Sequence, residues 1–279
     1  MKPVAFHYER PSSLREAGAL LATAGVFAKA IAGSQSLGPM LNLRLAQPDV
    51  LVDVTGIPEM TSVHDAGGAV EIGACVTHAD IEDGRVEDPS NGLMPTVAGG
   101  IAYRAVRNRG TIGGSLAHAD PAADWLSVLP LLDAELIIEG PGGTRTLAAG
   151  DLMISSFTTA LAADELIRAV RVPKLSAAAR WGFCKFNQKA GEFAHAIGAV
   201  LHDPERNIFR AVIGAIEAPP IVVGDAAAIF GGAPGPDLPP RIDDGVIGAL
   251  LDDRNVADSY TRKLAGVALK RAALQAGAS

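Results

Sequence analysis

Three glycines fall within five residues in Asn108-Arg109-Gly110-Thr111-Ile112-Gly113-Gly114-Ser115, and Leu116-Ala117-His118-Ala119-Asp120-Pro121-Ala122-Ala123-Asp124 follows at once. Glycine lets the backbone turn tightly and lets a ligand approach with no Cβ in the way. Successive N–H groups in such a loop can form a concave nest for phosphate oxygens. Asp is a good helix N-cap and Pro is tolerated at the first helical position, so a helix is expected to open near Asp120 or Pro121. A nest beside that helix would hold an anion. Alone, the stretch also reads as a tight turn between two core elements. A second stretch shifts the balance. Lys29-Ala30-Ile31-Ala32-Gly33-Ser34-Gln35-Ser36-Leu37 reads as a buried strand entering a loop of small residues. Gly33, Ser34 and Ser36 offer N–H groups and hydroxyls with little bulk. Two such loops point to a diphosphate held between two lobes. Neither has the GxxxxGK[ST] form of a phosphate loop or the GxGxxG spacing of a dinucleotide fold.

The rest of the chain narrows the class. A net charge of −7 argues against nonspecific nucleic-acid binding, which needs a basic surface. Aromatic residues make up only 5%, too few for base-stacking platforms. No apolar run approaches the roughly 20 residues that span a bilayer. Polar residues follow Met1-Lys2-Pro3-Val4-Ala5-Phe6-His7 where a secretory signal would have its apolar core, so a cytoplasmic location is expected. The two cysteines, Cys75 and Cys184, cannot make a four-ligand zinc or iron–sulfur site. The histidines show no metal spacing, and no Ser/His/Asp grouping can be assembled. No catalytic residue and no metal ligand is assigned.

The 279 residues divide into three expected lobes, 1–57, 58–173 and 174–279. The first has strands at 4–6, 26–32 and 50–54. Its first helix opens on a Ser13/Glu16 capping box and ends at Gly25. A short helix at 39–45 uses Met40, Leu41 and Leu45 as core. The second lobe opens on a hairpin turning at Gly67-Gly68. A short helix capped by Thr77 follows, then a helical stretch at 93–106 weakened by Gly99-Gly100, and strands at 134–139 and 165–172. The third reads as a three-stranded antiparallel meander (181–188, 194–201, 207–216), a Gly/Pro loop at 231–240 and amphipathic helices at 242–251 and 259–275.

The stretches AGSQSLGPMLNLRL (32–45) and VRNRGTIGGSLAHADPAAD (106–124) resemble the two flavin motifs of the FAD-binding medium subunits of molybdenum hydroxylases, the group of carbon monoxide and xanthine dehydrogenases. The resemblance covers nearly the whole chain. It implies an α+β, FAD-binding fold of the PCMH/vanillyl-alcohol-oxidase type, with two α/β lobes clamping FAD and a C-terminal lobe of a three-stranded sheet and helices. It places FAD contacts at Lys29, Ile31, Ala32, Gly33, Ser34, Gln35, Ser36 and Leu37 in the first motif. In the second it places them at Thr111, Ile112, Gly113, Gly114 and Ser115, then at Ala123 and Asp124. Ile101 and the backbone of Leu166-Ile167 match further flavin-contacting positions. Lys185 matches a lysine that contacts FAD, and Phe193 an aromatic that lies against the isoalloxazine ring. Asp120, by contrast, reads as a helix cap. Ser34 stands where the family usually has Gly, which suits a backbone without a strongly positive φ. Gln188 and Lys189 stand where the family often has two arginines.

The implied role is an electron-transfer flavoprotein subunit. The iron–sulfur clusters sit in a small partner subunit and the molybdenum cofactor in a large one, in a dimer of heterotrimers. Electrons pass from the clusters to this FAD and on to an external acceptor. The alternatives are a stand-alone flavin oxidase or reductase of the same fold, and a binding module without cofactor.

Overall fold

The computed structural model describes residues 2–232 and 242–278. The first sheet is built from β1 (His7–Glu9), α1 (Leu14–Leu21), β2 (Ala28–Ile31), α2 (Leu37–Asn42) and β3 (Val50–Asp53). Its strands are parallel in the order β1-β3-β2. Parallel pairing of His7 with Val50 sets the first strand three residues later than the expected 4–6. Only half of the expected capping box forms. Ser13 Oγ accepts from the Glu16 N–H at 3.3 Å, but the Glu16 carboxylate takes the Ser12 N–H and hydroxyl. Leu45 is not core. The helix is capped at Leu43, Arg44 turns with φ +59°, and Leu45 is left 73% exposed.

The second sheet follows α3 (Pro58–Thr61). Its chain runs β4 (Val63–Asp65), β5 (Ala69–Gly73), α4 (His78–Glu82), α5 (Leu93–Gly99), α6 (Arg104–Arg107), α7 (Ile112–His118), α8 (Asp124–Leu131), β6 (Glu135–Gly140) and β7 (Gly143–Ala148). A small hairpin, β8 (Met153–Ser155) and β9 (Thr158–Thr159), precedes β10 (Leu166–Pro173). The antiparallel order is β4-β5-β10-β6-β7. The helical stretch at 93–106 is two helices, because the chain breaks after Gly99 and Ala102 takes φ +44°. α4 carries a complete reciprocal box between Thr77 and Asp80.

The third sheet has four antiparallel strands, not the expected three: β11 (Arg180–Phe186), β12 (Ala196–Asp203), β13 (Ile208–Gly214) and the short β14 (Ile221–Val223). α9 (Ala227–Phe230), α10 (Asp244–Asp252) and α11 (Ser259–Ala278) complete the chain. The expected loop at 231–240 lies mostly outside the described residues. α11 lies directly on the sheet at two glycines. A Cβ on Gly182 would stand 1.8 Å from the Ala272 carbonyl oxygen, and one on Gly198 2.3 Å from Ala268 C.

One apolar cluster joins all three sheets, from Ala17 and Val52 through Val70, Leu136 and Val170 to Ala199, Leu201 and Val212. α8 is buried along its whole length and packs on β12 and β13, so it links the second sheet to the third. Among the described residues no helix is long and apolar enough to cross a membrane.

Candidate functional site

The two small-residue stretches meet. A Cβ on Gly33 would fall 1.9 Å from the Arg109 carbonyl oxygen, so the first loop rests on the backbone of the second. Gly113 is pinned in the same manner. Its N–H donates to Ala74 O at 2.9 Å, and a Cβ there would meet Ala74 Cβ at 2.4 Å. Gly33 and Gly113 thus admit the close approach of protein atoms, the backbone of Arg109 and the residue Ala74. The second loop also proves not to be an open nest. Ile112 N–H donates to Val76 O at 3.1 Å, Gly114 N–H to Thr111 Oγ1 at 3.1 Å and Ser115 N–H to Thr111 O at 3.0 Å. Thr111 caps α7, which starts at Ile112 and not near Asp120. Asp120 caps no helix. Its carboxylate accepts from the Ala122 N–H at 2.9 Å in the turn before α8, whose N-cap is Ala123. The hydroxyl of Ser115 makes no hydrogen bond among the described residues.

The open nest is in the first stretch. The N–H groups of Gly33, Ser34, Gln35 and Ser36 find no acceptor among the described residues. Ser34 is left-handed at φ +61° and Ser36 is right-handed, so the chain turns sharply within the run that carries these free N–H groups. Ser34 therefore adopts the left-handed backbone that a Gly would take with less strain. The Gln35 side-chain amide donates to Gly33 O at 2.8 Å and closes the loop. The nest opens beyond β2, which carries an exposed Lys29 and a half-buried Ile31. Ala32 and Leu37 flank it, also half-buried.

A second centre forms at the start of α8. Asp124 Oδ2 accepts from Lys185 Nζ at 2.8 Å, with side-chain exposures of only 6% and 10%. Lys185, on β11, also reaches Gly100 O at 3.3 Å. Burial pushes the Asp124 carboxyl up from its ordinary value, and the Lys185 ammonium opposes the shift. Asp124 Oδ1 is buried with no hydrogen-bond partner among the described residues. Such an atom is costly unless a ligand or water donates to it. Around this pair stand Ile101, half-buried, and the loop after β11, which carries Phe193 with 65% of its surface exposed. That exposure excludes a core role for Phe193. Gly191 holds the loop against Ala102, whose carbonyl oxygen a Cβ would meet at 3.0 Å. Leu166 and Ile167 are buried beside a bulge in β10, where they pair with Glu139 and Ile138 of β6. Lys189 pairs with Glu192 at 3.1 Å on the surface.

Two supporting residues escaped the sequence reading. His78 is buried, and its Nδ1 accepts from Trp125 Nε1 at 3.1 Å. Burial, helped by the nearby Arg107 charge, lowers the His78 pKa to about 4. The neutral ring packs against Gly110 and braces the second loop. Arg107 grips Glu82 through two nitrogens at 2.7 and 2.8 Å and also donates to the carbonyls of Ile101 and Ala102. No local pattern marks either residue, because the side-chain partners that fix them, Trp125 and Glu82, lie 47 and 25 positions away.

A nest for anionic oxygens and a buried, unpartnered carboxylate oxygen fit the dinucleotide that the resemblance implies. The diphosphate would lie on Gly33–Ser36 and a hydroxyl of the cofactor would donate to Asp124. The model of the FAD binding domain in molybdopterin dehydrogenase matches residues 4–175. The carbon monoxide dehydrogenase medium chain of Afipia carboxidovorans is 31% identical over 100% of this chain and 99% of its own. The nicotine 6-hydroxylase medium subunit of Paenarthrobacter nicotinovorans is 39% identical over 72% of this chain and 70% of its own. The solved carbon monoxide dehydrogenase of Hydrogenophaga pseudoflava superposes with a TM-score of 0.85 at 31% identity, covering 99% of this chain and 98% of that one. This chain belongs to the family of FAD-binding domains of molybdopterin dehydrogenases.

Proposed function

We propose that the chain is the FAD-carrying, electron-transfer subunit of a molybdenum-containing hydroxylase or dehydrogenase, passing electrons from iron–sulfur clusters of a partner subunit to an external acceptor. The observation that carries this reading is the end-to-end match to a carbon monoxide dehydrogenase medium chain, 100% of one and 99% of the other. The chain's own two cysteines, both buried, cannot ligate a cluster between them. The bound flavin would supply the redox chemistry, and the protein binding and orientation.

In this reading the free N–H groups of Gly33–Ser36 bind the diphosphate, with Lys29, Thr111 and Ser115 alongside. Asp124, held by Lys185, accepts a cofactor hydroxyl. Phe193, Ile101 and the backbone of Leu166-Ile167 bound the ring system. The chain acts as three lobes, 1–57, 58–173 and 174–279, the third closing on the first two. Its partners are an iron–sulfur small subunit and a molybdenum-cofactor large subunit, joined in a cytoplasmic dimer of heterotrimers. Purification from the source organism tests this. The chain should copurify with two further subunits, and the preparation should contain FAD, iron and molybdenum. A yellow chain that purifies alone, without metal, and whose flavin is bleached by a small organic donor would instead be a stand-alone oxidase.

A further inference from the structure

Arg104, Arg107 and Arg109 lie within six residues of one another, and two of the three are paired. Arg104 pairs with Glu82 at 2.9 Å and Asp83 at 2.6 Å, and Arg107 with Glu82 at 2.7 Å. The Arg109 side chain is exposed and makes no hydrogen bond or ion pair among the described residues. Its backbone carbonyl is the one that Gly33 rests on. Its charge also reaches the first sheet. The Tyr8 phenol is held above its ordinary pKa by its hydrogen bond to Asp53, and Arg109 pulls it the other way. Asp53 is the register partner of Ile31, two residues before Gly33. The backbone of Arg109 therefore borders the first loop at Gly33, and its exposed side chain starts from the edge of the nest. The carboxylate there is already engaged, since Asp53 accepts from Tyr8, from the Thr55 N–H and hydroxyl, and faces Arg10 at 3.7 Å.

Four unpaired N–H groups thus lie next to a residue whose exposed cation has no partner among the described residues, at an edge whose carboxylate is already engaged. We propose that Arg109 is the counter-charge for the cofactor diphosphate in the Gly33–Ser36 nest, and that it selects FAD over flavins without a diphosphate. The proposal rests on the reading of this chain as an FAD subunit. Charge-assisted hydrogen bonds to phosphate oxygens are among the strong ones, and Arg presents its donors in a planar fork. Arg104 and Arg107 cannot substitute, because each is held by the carboxylates of Glu82 or Asp83.

The test is calorimetric titration of the apo chain with ADP, FAD and riboflavin. Wild type is compared with Arg109→Gln and Arg109→Lys, and thermal midpoints report folding. ADP and FAD affinity should fall by about tenfold or more in Arg109→Gln, the size of one charge-assisted hydrogen bond. Riboflavin affinity should stay within about twofold, since it carries no phosphate. The deficit should shrink at about 0.5 M salt, and Arg109→Lys should restore part of the loss. Should Arg109→Gln not fold, Arg109→Lys is compared with wild type for the same ADP-against-riboflavin split. Equal ADP and FAD affinity in a folded variant and wild type overturns the proposal. So does an equal loss of ADP and riboflavin, which would mark a structural role. A wild-type chain that binds no FAD overturns the underlying reading instead.

Discussion

Ser34 holds a left-handed backbone at φ +61°, a conformation that costs an L-residue about 1–2 kcal/mol. The strain sits within the run that carries the free N–H groups, so it belongs to the nest. Ser34→Gly should raise stability by up to about 1 kcal/mol, the strain released less the added freedom of the unfolded chain. Urea unfolding of the apo chain measures this, and a drop in stability would show that the serine hydroxyl makes a contact of its own. Asp124 and Lys185 present the opposite balance. Asp124→Asn leaves a nearly buried ammonium without its partner and should lower stability by about 3 kcal/mol. It should also lower flavin content. The double variant Asp124→Leu/Lys185→Met removes both charges. It should recover most of the stability while flavin content stays low. Full flavin content in that folded double variant would remove Asp124 from the site.

At the scale of elements, α7 and α8 carry the second motif, and His78 on α4 joins them through Trp125. Because burial lowers the His78 pKa from 6.5 to about 4, the folded chain resists taking up a proton that the unfolded chain accepts. The unfolded state thus binds more protons between these values, and stability falls as the pH drops through that window. The neutral amide of Asn can accept from the Trp125 N–H and does not titrate. His78→Asn should flatten the pH dependence of the unfolding midpoint between about 6.5 and about 4, and an unchanged slope would assign that dependence to other groups. This element also shows what the sequence could reveal. The Thr77 cap and the Gly67-Gly68 turn are local chemistry and were legible. The buried strands were legible too, as apolar runs between turn residues. The start of α7 was not, because adjacent glycines read as a loop, whereas Gly113 packs closely on Ala74 and Gly114 sits under the Thr111 cap. The edge strand β14 and the β8–β9 hairpin are too short to leave a periodic signal. The links from Trp125 to His78 and from Lys185 to Asp124 join residues 47 and 61 positions apart, which no local pattern encodes.

At the scale of the whole molecule, α8 connects the second and third sheets, and Asp124 at its start meets Lys185 from the third. The loop after β11 then folds back over this junction. His195 N–H donates to Phe186 O at 2.7 Å at its base, and Gly191 packs on Ala102 near its tip. Phe193 is thereby presented at the rim of the proposed ring site and left largely exposed. An exposed aromatic contributes little to folding, so Phe193→Ala should change stability by no more than about 0.5 kcal/mol. Its effect belongs to the assembled complex. With the iron–sulfur and molybdenum subunits present, an artificial dye that takes electrons upstream of FAD reports turnover at molybdenum alone. Stopped-flow reoxidation of the flavin reports access of the external acceptor. Phe193→Ala should leave the first rate near wild type and change the second if, as proposed, the side chain stands between flavin and acceptor. The isolated chain should show no bleaching by the complex's substrate, and adding the other two subunits should restore it. Equal changes in both rates would place Phe193 at the subunit interface instead. No change in either would remove it from the flavin's surroundings.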